Sequence, residues 1–151
     1  MIIDNKILKM HFQLERINRK LAIMDQYLTR NDNFSKMEFL ILLYIYANEG
    51  ITQYKISKYL NIDMPRINQI VKKLEKEEII AKEIDSTSKI IRKKLILTDQ
   101  GRNTINEILK EKQEVYHKCN DIFSNEEAND MLKHFEHLAW FLDSVIKDIE
   151  I

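Results

Sequence analysis

A chain of 151 residues with 44% apolar and 32% charged side chains, two glycines and one proline has the size of one domain and the make-up of a mostly helical soluble protein. Its 24 cations and 24 anions cancel, which argues against a uniformly basic nucleic-acid binder. The longest apolar run, residues 39–47, is far below the roughly 20 residues that span a bilayer, and the single Cys119 excludes an internal disulfide and suits a reducing cytoplasm.

The first stretch, MIIDNKILKM, has no basic segment leading into an apolar one, so no signal peptide is expected. Ile7, Leu8, Phe12, Leu14, Ile17, Leu21, Met24 and Leu28 recur at helical spacing and predict one long helix over about 4–29. Residues 29–33 form a polar link. Ser35 and Glu38 then stand three apart, the spacing of a capping box, and open a helix to about residue 48 that is apolar nearly all round: Met37, Phe39, Leu40, Ile41, Leu42, Leu43 and Ile45. Such a helix is expected to be buried, with Gly50 as its stop.

Thr52 is a good cap for a short helix whose Ile56, Tyr59 and Leu60 make a buried stripe. The pattern breaks at 61–63. Asp63 caps a second helix with Pro65 in its first turn, where a missing amide hydrogen costs little. Ile67, Ile70, Val71 and Leu74 face a core, while Arg66, Asn68, Gln69, Lys72, Lys73 and Lys76 occupy the opposite face. Cations suit phosphates, and Asn and Gln amides can pair with an adenine edge. Two helices joined by a short turn, the second with a polar outer face, fit a helix-turn-helix.

After Ile80 the period becomes alternating. Ile80, Lys82 and Ile84 lead to a polar turn over 85–89, and residues 90–97 return as a β-branched basic strand, which together predict a hairpin with Lys89, Arg92, Lys93 and Lys94 at its tip and flanks. Thr98 caps a helix running to about residue 120, with Ile105, Ile108, Leu109, Val115 and Tyr116 on its apolar side. Ser124 and Glu127 form a second capping box, and the last helix, to about 149, carries Met131, Leu132, Phe135, Leu138, Ala139, Leu142, Val145, Ile146 and Ile149. That much apolar surface wants a partner.

This order of elements, with Leu74-Glu75, Ile79-Ile80 and the closing Leu97-Thr98-Asp99-Gln100-Gly101, resembles the MarR family of winged-helix transcriptional regulators over nearly the whole chain. Two departures stand out: Glu78 occupies the place of the family's glycine before the wing, and Asp85 and Arg92 are further apart than in the family's Asp-x-Arg signature. The resemblance implies a mainly α fold, a winged helix-turn-helix with a small β-hairpin wing and long N- and C-terminal dimerisation helices. It implies one domain over 1–151, with the DNA-binding part at about 34–101 and dimerisation helices at about 4–29 and 99–149. It also implies a homodimer, a pseudo-palindromic double-stranded DNA operator, and repression modulated by a small-molecule effector.

Charge distribution agrees with that reading. Residues 51–101 hold 11 cations against 7 anions, whereas the remainder holds 13 against 17. A module of charge +4 on a frame of −4 concentrates positive potential where DNA would dock. The candidate DNA contacts are Gln53 and Tyr54 at a helix start, Pro65, Arg66, Asn68, Gln69, Lys72 and Lys73 on the second helix, and Lys89, Arg92 and Lys93 on the wing. Phe135, Leu138, Leu142, Val145 and Ile149 are the dimerisation candidates. His11, Phe12 and Arg16, facing Leu43 and Tyr46, are candidates for an effector pocket, and plain core packing fits them equally.

Two other readings stay open: a winged-helix protein-interaction module without specific DNA binding, and a metal-responsive protein using His117, His134 and His137. The latter lacks an accompanying carboxylate-rich or cysteine-rich pair, so no metal or cofactor is expected. Cys119 is expected to be a simple thiol. No Gly-rich phosphate loop, nucleophile elbow or paired-His zinc protease motif occurs, and the chain is not expected to be an enzyme.

Overall fold

A computed structural model describes residues 5–29, 33–86 and 92–149. The elements run α1 (Asn5–Thr29), α2 (Lys36–Ala47), α3 (Gln53–Leu60), α4 (Met64–Lys76), β1 (Ile80–Asp85), β2 (Arg92–Leu97), α5 (Asp99–Glu111), α6 (Gln113–Asn120) and α7 (Asn125–Ile149). This is a mainly helical winged helix-turn-helix whose wing is an antiparallel two-stranded hairpin. Two compact units follow one another, residues up to Lys110 and residues from Glu111 onward.

The helix ends form where local chemistry places them. Ser35 accepts from the Glu38 amide at 3.3 Å while Glu38 takes the Ser35 amide at 2.8 Å, closing the capping box of α2. Thr52 and Asp63 accept from Lys55 and Arg66 amides and start α3 and α4. The same reciprocal pair joins Ser124 and Glu127 at α7. Between α3 and α4, Asn61 takes the left-handed conformation at φ 51°, which Asn tolerates better than most residues. Ser57 donates its hydroxyl to the Ile62 carbonyl at 2.6 Å and clamps the turn.

The end of α4 is a Schellman motif. The Ile79 amide reaches back to the Leu74 carbonyl at 2.9 Å and the Glu78 amide to Glu75 at 3.0 Å, which forces Glu78 to φ 56°. A left-handed non-glycine residue costs about 1–2 kcal/mol. Glu78→Gly should therefore raise the unfolding free energy by about 0.5–1 kcal/mol, once the greater freedom of glycine in the unfolded chain is subtracted. The check is a higher urea midpoint at unchanged slope; an unmoved or lowered midpoint would show that Glu78 carries no strain.

The core of the first unit lies between α2, α4, the hairpin base and α5. Phe39, Ile41, Leu42 and Ile45 meet Ile56, the α4 stripe of Ile67, Ile70, Val71 and Leu74, then Ile79, Ile80, Leu95, Leu97, Ile105 and Ile108. Each such side chain contributes about 1.5–3 kcal/mol by leaving water. Three predicted details differ. Helix α2 is not buried all round, since Leu40 and Tyr46 are exposed on its outer side. Tyr59 is exposed as well and stacks on Tyr44 with ring centroids 4.6 Å apart, because on so short a helix only Ile56 and Leu60 reach the core. The helix predicted to run to residue 120 divides at Lys112, where the charged and polar run 110–114 interrupts the apolar stripe, and α6 starts at Gln113. The side chains of Ile7, Leu28, Tyr116 and Cys119 lie outside the described residues.

Gly50, at φ 82°, does not stop α2, which ends at the Asn48 cap. It turns the chain so that its amide reaches the Leu95 carbonyl at 2.9 Å, and the Leu95 amide reaches Ile51 at 2.8 Å. Ile51 thus adds one bridge to β2 and ties the wing to the start of α3.

Candidate nucleic-acid interface

Helix α4 buries Ile67, Ile70, Val71 and Leu74 at or near zero exposure, with Met64 of its first turn exposed, so its rotation about its own axis is set by the core. The residues left outside are Pro65, Arg66, Asn68, Gln69, Lys72, Lys73 and Lys76, all exposed. Three of them are held in hydrogen-bonded pairs. Gln53 Nε2 of α3 donates to Asn68 Oδ1 at 2.7 Å, and Arg66 Nη1 donates to Gln69 Oε1 at 3.1 Å. Gln53, expected on a phosphate, also braces α4 from the neighbouring helix. Tyr54 remains exposed at the start of α3, with Lys58 Nζ 5.7 Å from its ring centroid.

Lys73 is placed differently from Lys72. Its ammonium turns towards α2 and pairs with Glu38 at 2.9 Å, with Glu77 a further 3.9 Å contact. The physical reason is the buried Glu38 carboxylate, already held by the α2 capping box and in need of a counter-charge. Burial pushes the Glu38 carboxyl up, but the Lys73 ammonium and Ser35 outweigh it and hold its pKa below the ordinary value. The hydrogen bond to Glu38 in turn raises the Lys73 pKa. A depressed carboxylate stabilises the fold above its unfolded pKa and loses that contribution as pH falls through its folded pKa. Glu38→Gln should therefore melt below the wild type at neutral pH, with the difference closing as the solution is taken down through the carboxylate range. A gap independent of pH would remove the ion pair as its cause.

The wing is a six-residue pairing from Ile80 opposite Leu97 to Asp85 opposite Arg92. Asp85, expected in the turn, is the last residue of β1. Seven positions apart in sequence, Asp85 and Arg92 are direct cross-strand partners, and Asp85 also holds Lys94 at 3.0 Å. Lys82 is spent on Glu75 at 2.7 Å, fastening the hairpin to α4, whereas Arg92 and Lys93 are exposed at the far end of β2. Lys89 lies outside the described residues.

The effector-pocket residues are not brought together as expected. A concavity of about 660 Å³ is lined by His11, Phe12, Glu15, Arg16, Arg19 and Lys20, all of α1. Leu43 and Tyr46 do not line it: Leu43 packs against the core, and Tyr46 donates its hydroxyl to Asn106 Oδ1 at 3.1 Å. The helical period that groups His11, Phe12 and Arg16 says nothing of which other helix faces them, and α1 approaches α2 through Asp25, paired with Lys36 at 2.7 Å. Of the described α1 side chains, only Met24 and Asp25 are even half-buried.

Helix α7 carries no buried residue. Phe135, Leu142 and Ile149 are 49%, 45% and 71% exposed, with Leu138 and Val145 half-buried between them. On the same helix His134 Nδ1 lies 2.6 Å from the Asp130 carbonyl, and His137 tilts against Trp140 at 6.1 Å. His117 meets Gln113 at 2.9 Å. Among the described residues, no three His, Cys, Asp or Glu side chains come together as metal ligands, and no helix is long and apolar enough to cross a membrane.

Comparison with known proteins agrees with this geometry. Residues 34–89 match the model of the MarR family. The chain is 27% identical over 138 residues to the uncharacterized HTH-type transcriptional regulator YybA of Bacillus subtilis, spanning 91% of this chain and 87% of YybA. It is 32% identical over 105 residues to a second uncharacterized HTH-type regulator of that organism, YdgJ, spanning 68% of this chain and 60% of YdgJ. Among solved structures, the S. aureus MepR–DNA complex has the same fold at a TM-score of 0.67 and 20% identity, covering 87% of this chain and 95% of MepR.

Proposed function

We propose that the chain, whose residues 34–89 match the MarR family model, is a winged-helix transcriptional regulator of that family, a homodimeric repressor that occludes a pseudo-palindromic operator and releases it on binding a small-molecule effector. The observation that carries the reading is the rotation of α4: Ile67, Ile70, Val71 and Leu74 are in the core, and Arg66, Asn68, Gln69 and Lys72 are outside. In the dimer each α4 enters a major groove, and Arg92 and Lys93 of each wing meet the flanking backbone or minor groove. Pro65 and Tyr54 lie at the helix starts that approach phosphate, and Lys89 completes the wing's cations. Lys73 is the weakest of the contacts, since Glu38 already neutralises it. Residues 34–101 are the reading head, and the helices over 4–29 and 99–149 are the frame that pairs two of them through Phe135, Leu138, Leu142, Val145 and Ile149.

The effector binds beside α1. Arg16, Arg19 and Lys20 outnumber Glu15 in the concavity there and stand beside the ring of Phe12, a combination that suits an anionic, partly apolar molecule. Binding changes operator affinity by favouring one separation of the two reading heads over another.

Selection of bound sequences from random duplexes tests class and symmetry together. The expected result is two inverted half-sites with centres roughly 10 bp apart. Binding that is weak, salt-sensitive and equal for every duplex would overturn the reading and favour a protein-interaction module.

A further inference from the structure

Two hydrogen bonds on the outer face of α4 decide which end of each amide is free. In the Gln53–Asn68 and Arg66–Gln69 pairs the oxygen of the α4 amide, Asn68 Oδ1 or Gln69 Oε1, is the end engaged within the protein, and Gln53 is held by its Nε2. The NH2 ends of Asn68 and Gln69 are left to meet a ligand. The neighbouring Arg66 guanidinium and Lys72 ammonium are donors without acceptors. The nearby carboxylate, Asp63, already takes the Arg66 amide at 2.8 Å through Oδ1. The reading tip therefore presents hydrogen-bond donors.

A side-chain amide that reads adenine needs both of its ends, the oxygen for N6 and the NH2 for N7. Guanine offers two acceptors in the major groove, O6 and N7, and matches this cluster of donors. Resting on the assignment of α4 as the DNA-reading helix, we infer that its outer face reads guanine, and that Gln53, on the preceding helix, is a specificity-determining positioning residue because it fixes the orientation of Asn68. The bare presence of Asn and Gln suggests adenine; the pairing of their oxygens reverses that preference.

The test uses the full chain and duplexes recovered by selection from random sequence, with each guanine of a half-site replaced in turn by adenine. Competition binding at one fixed salt concentration gives the guanine-to-adenine ratio at each position. The wild type should favour guanine by about ten-fold or more at one or more positions per half-site, the discrimination of a good bidentate contact. Gln53→Ala frees the Asn68 oxygen and should bring one of these ratios towards unity. Gln53→Glu accepts from the Asn68 NH2 and turns the oxygen outward, so the same ratio should fall below one. A carboxylate at the first position of α3 suits the helix start, so this variant keeps the fold. The ratio does not respond to a general loss of affinity, which a lost phosphate contact or an added negative charge would cause. A wild type that favours adenine, or a ratio unmoved in both variants, would overturn the inference and leave the regulator standing. Equal binding to all duplexes would overturn the reading of α4 as a base-contacting helix, and this inference with it.

Discussion

Gly101→Ala is expected to destabilise the protein by about 3 kcal/mol and lower its melting temperature by roughly 10 °C. Two effects of opposite sign meet at this position. Gly101 lies within α5, where helix propensity alone favours alanine by about 1 kcal/mol. A Cβ there would stand 1.9 Å from the Ile79 carbonyl oxygen and 2.8 Å from its carbon. Those are backbone atoms, so no rotamer relieves the clash. The Ile79 carbonyl is also fixed, accepting the Thr98 amide at 3.1 Å and its hydroxyl at 3.2 Å. Moving it would undo the Thr98 cap, whose hydroxyl accepts the Gly101 amide at 2.9 Å. Sterics should win. A thermal melt followed by circular dichroism decides it, and an unchanged or higher midpoint would mean that α5 can slide away from the wing at little cost.

Leu142→Asp is expected to convert the proposed dimer to monomers. Leu142 is nearly half exposed in the single chain and lies in a row with Phe135, Leu138, Val145 and Ile149 on a helix with no buried residue. A two-fold interface meets the substitution twice, and each copy exchanges a buried leucine for a carboxylate with no partner. At about 2–3 kcal/mol per site the dissociation constant should rise roughly 10³–10⁴-fold, and affinity for a two-half-site duplex should fall with it. Light scattering on the eluting protein reads the mass directly. A variant that stays dimeric would place the pairing surface on other residues, α1 being the next to examine because Phe12 and Ile23 are also largely exposed.

Most of the elements were legible because they are written in local chemistry. The caps at Ser35, Thr52, Asp63, Thr98 and Ser124 act over three residues, and the stripe of Ile67, Ile70, Val71 and Leu74 turns α4 by periodicity alone. The family's missing glycine could be noticed at Glu78 in the sequence, although only the structure shows the left-handed backbone there. The resemblance rested on the order of such signals, and the family match over residues 34–89 agrees with it.

What the linear chain determined by itself was therefore the helices apart from the break between α5 and α6, the hairpin and the outward amide-and-cation face of α4, since propensity, capping and hydrophobic period are properties of neighbours. Only the tertiary structure decided what the outward groups do with one another. It sent Lys73 to Glu38 across 35 positions and Gln53 to Asn68 across 15, set Asp85 opposite Arg92, and pressed Gly101 against the Ile79 carbonyl. It also left Leu43 and Tyr46 away from the α1 concavity. The physical reason is that a hydrogen bond or ion pair is settled within about 3–4 Å, and residues far apart in the chain come that close only after the core has fixed how the helices cross.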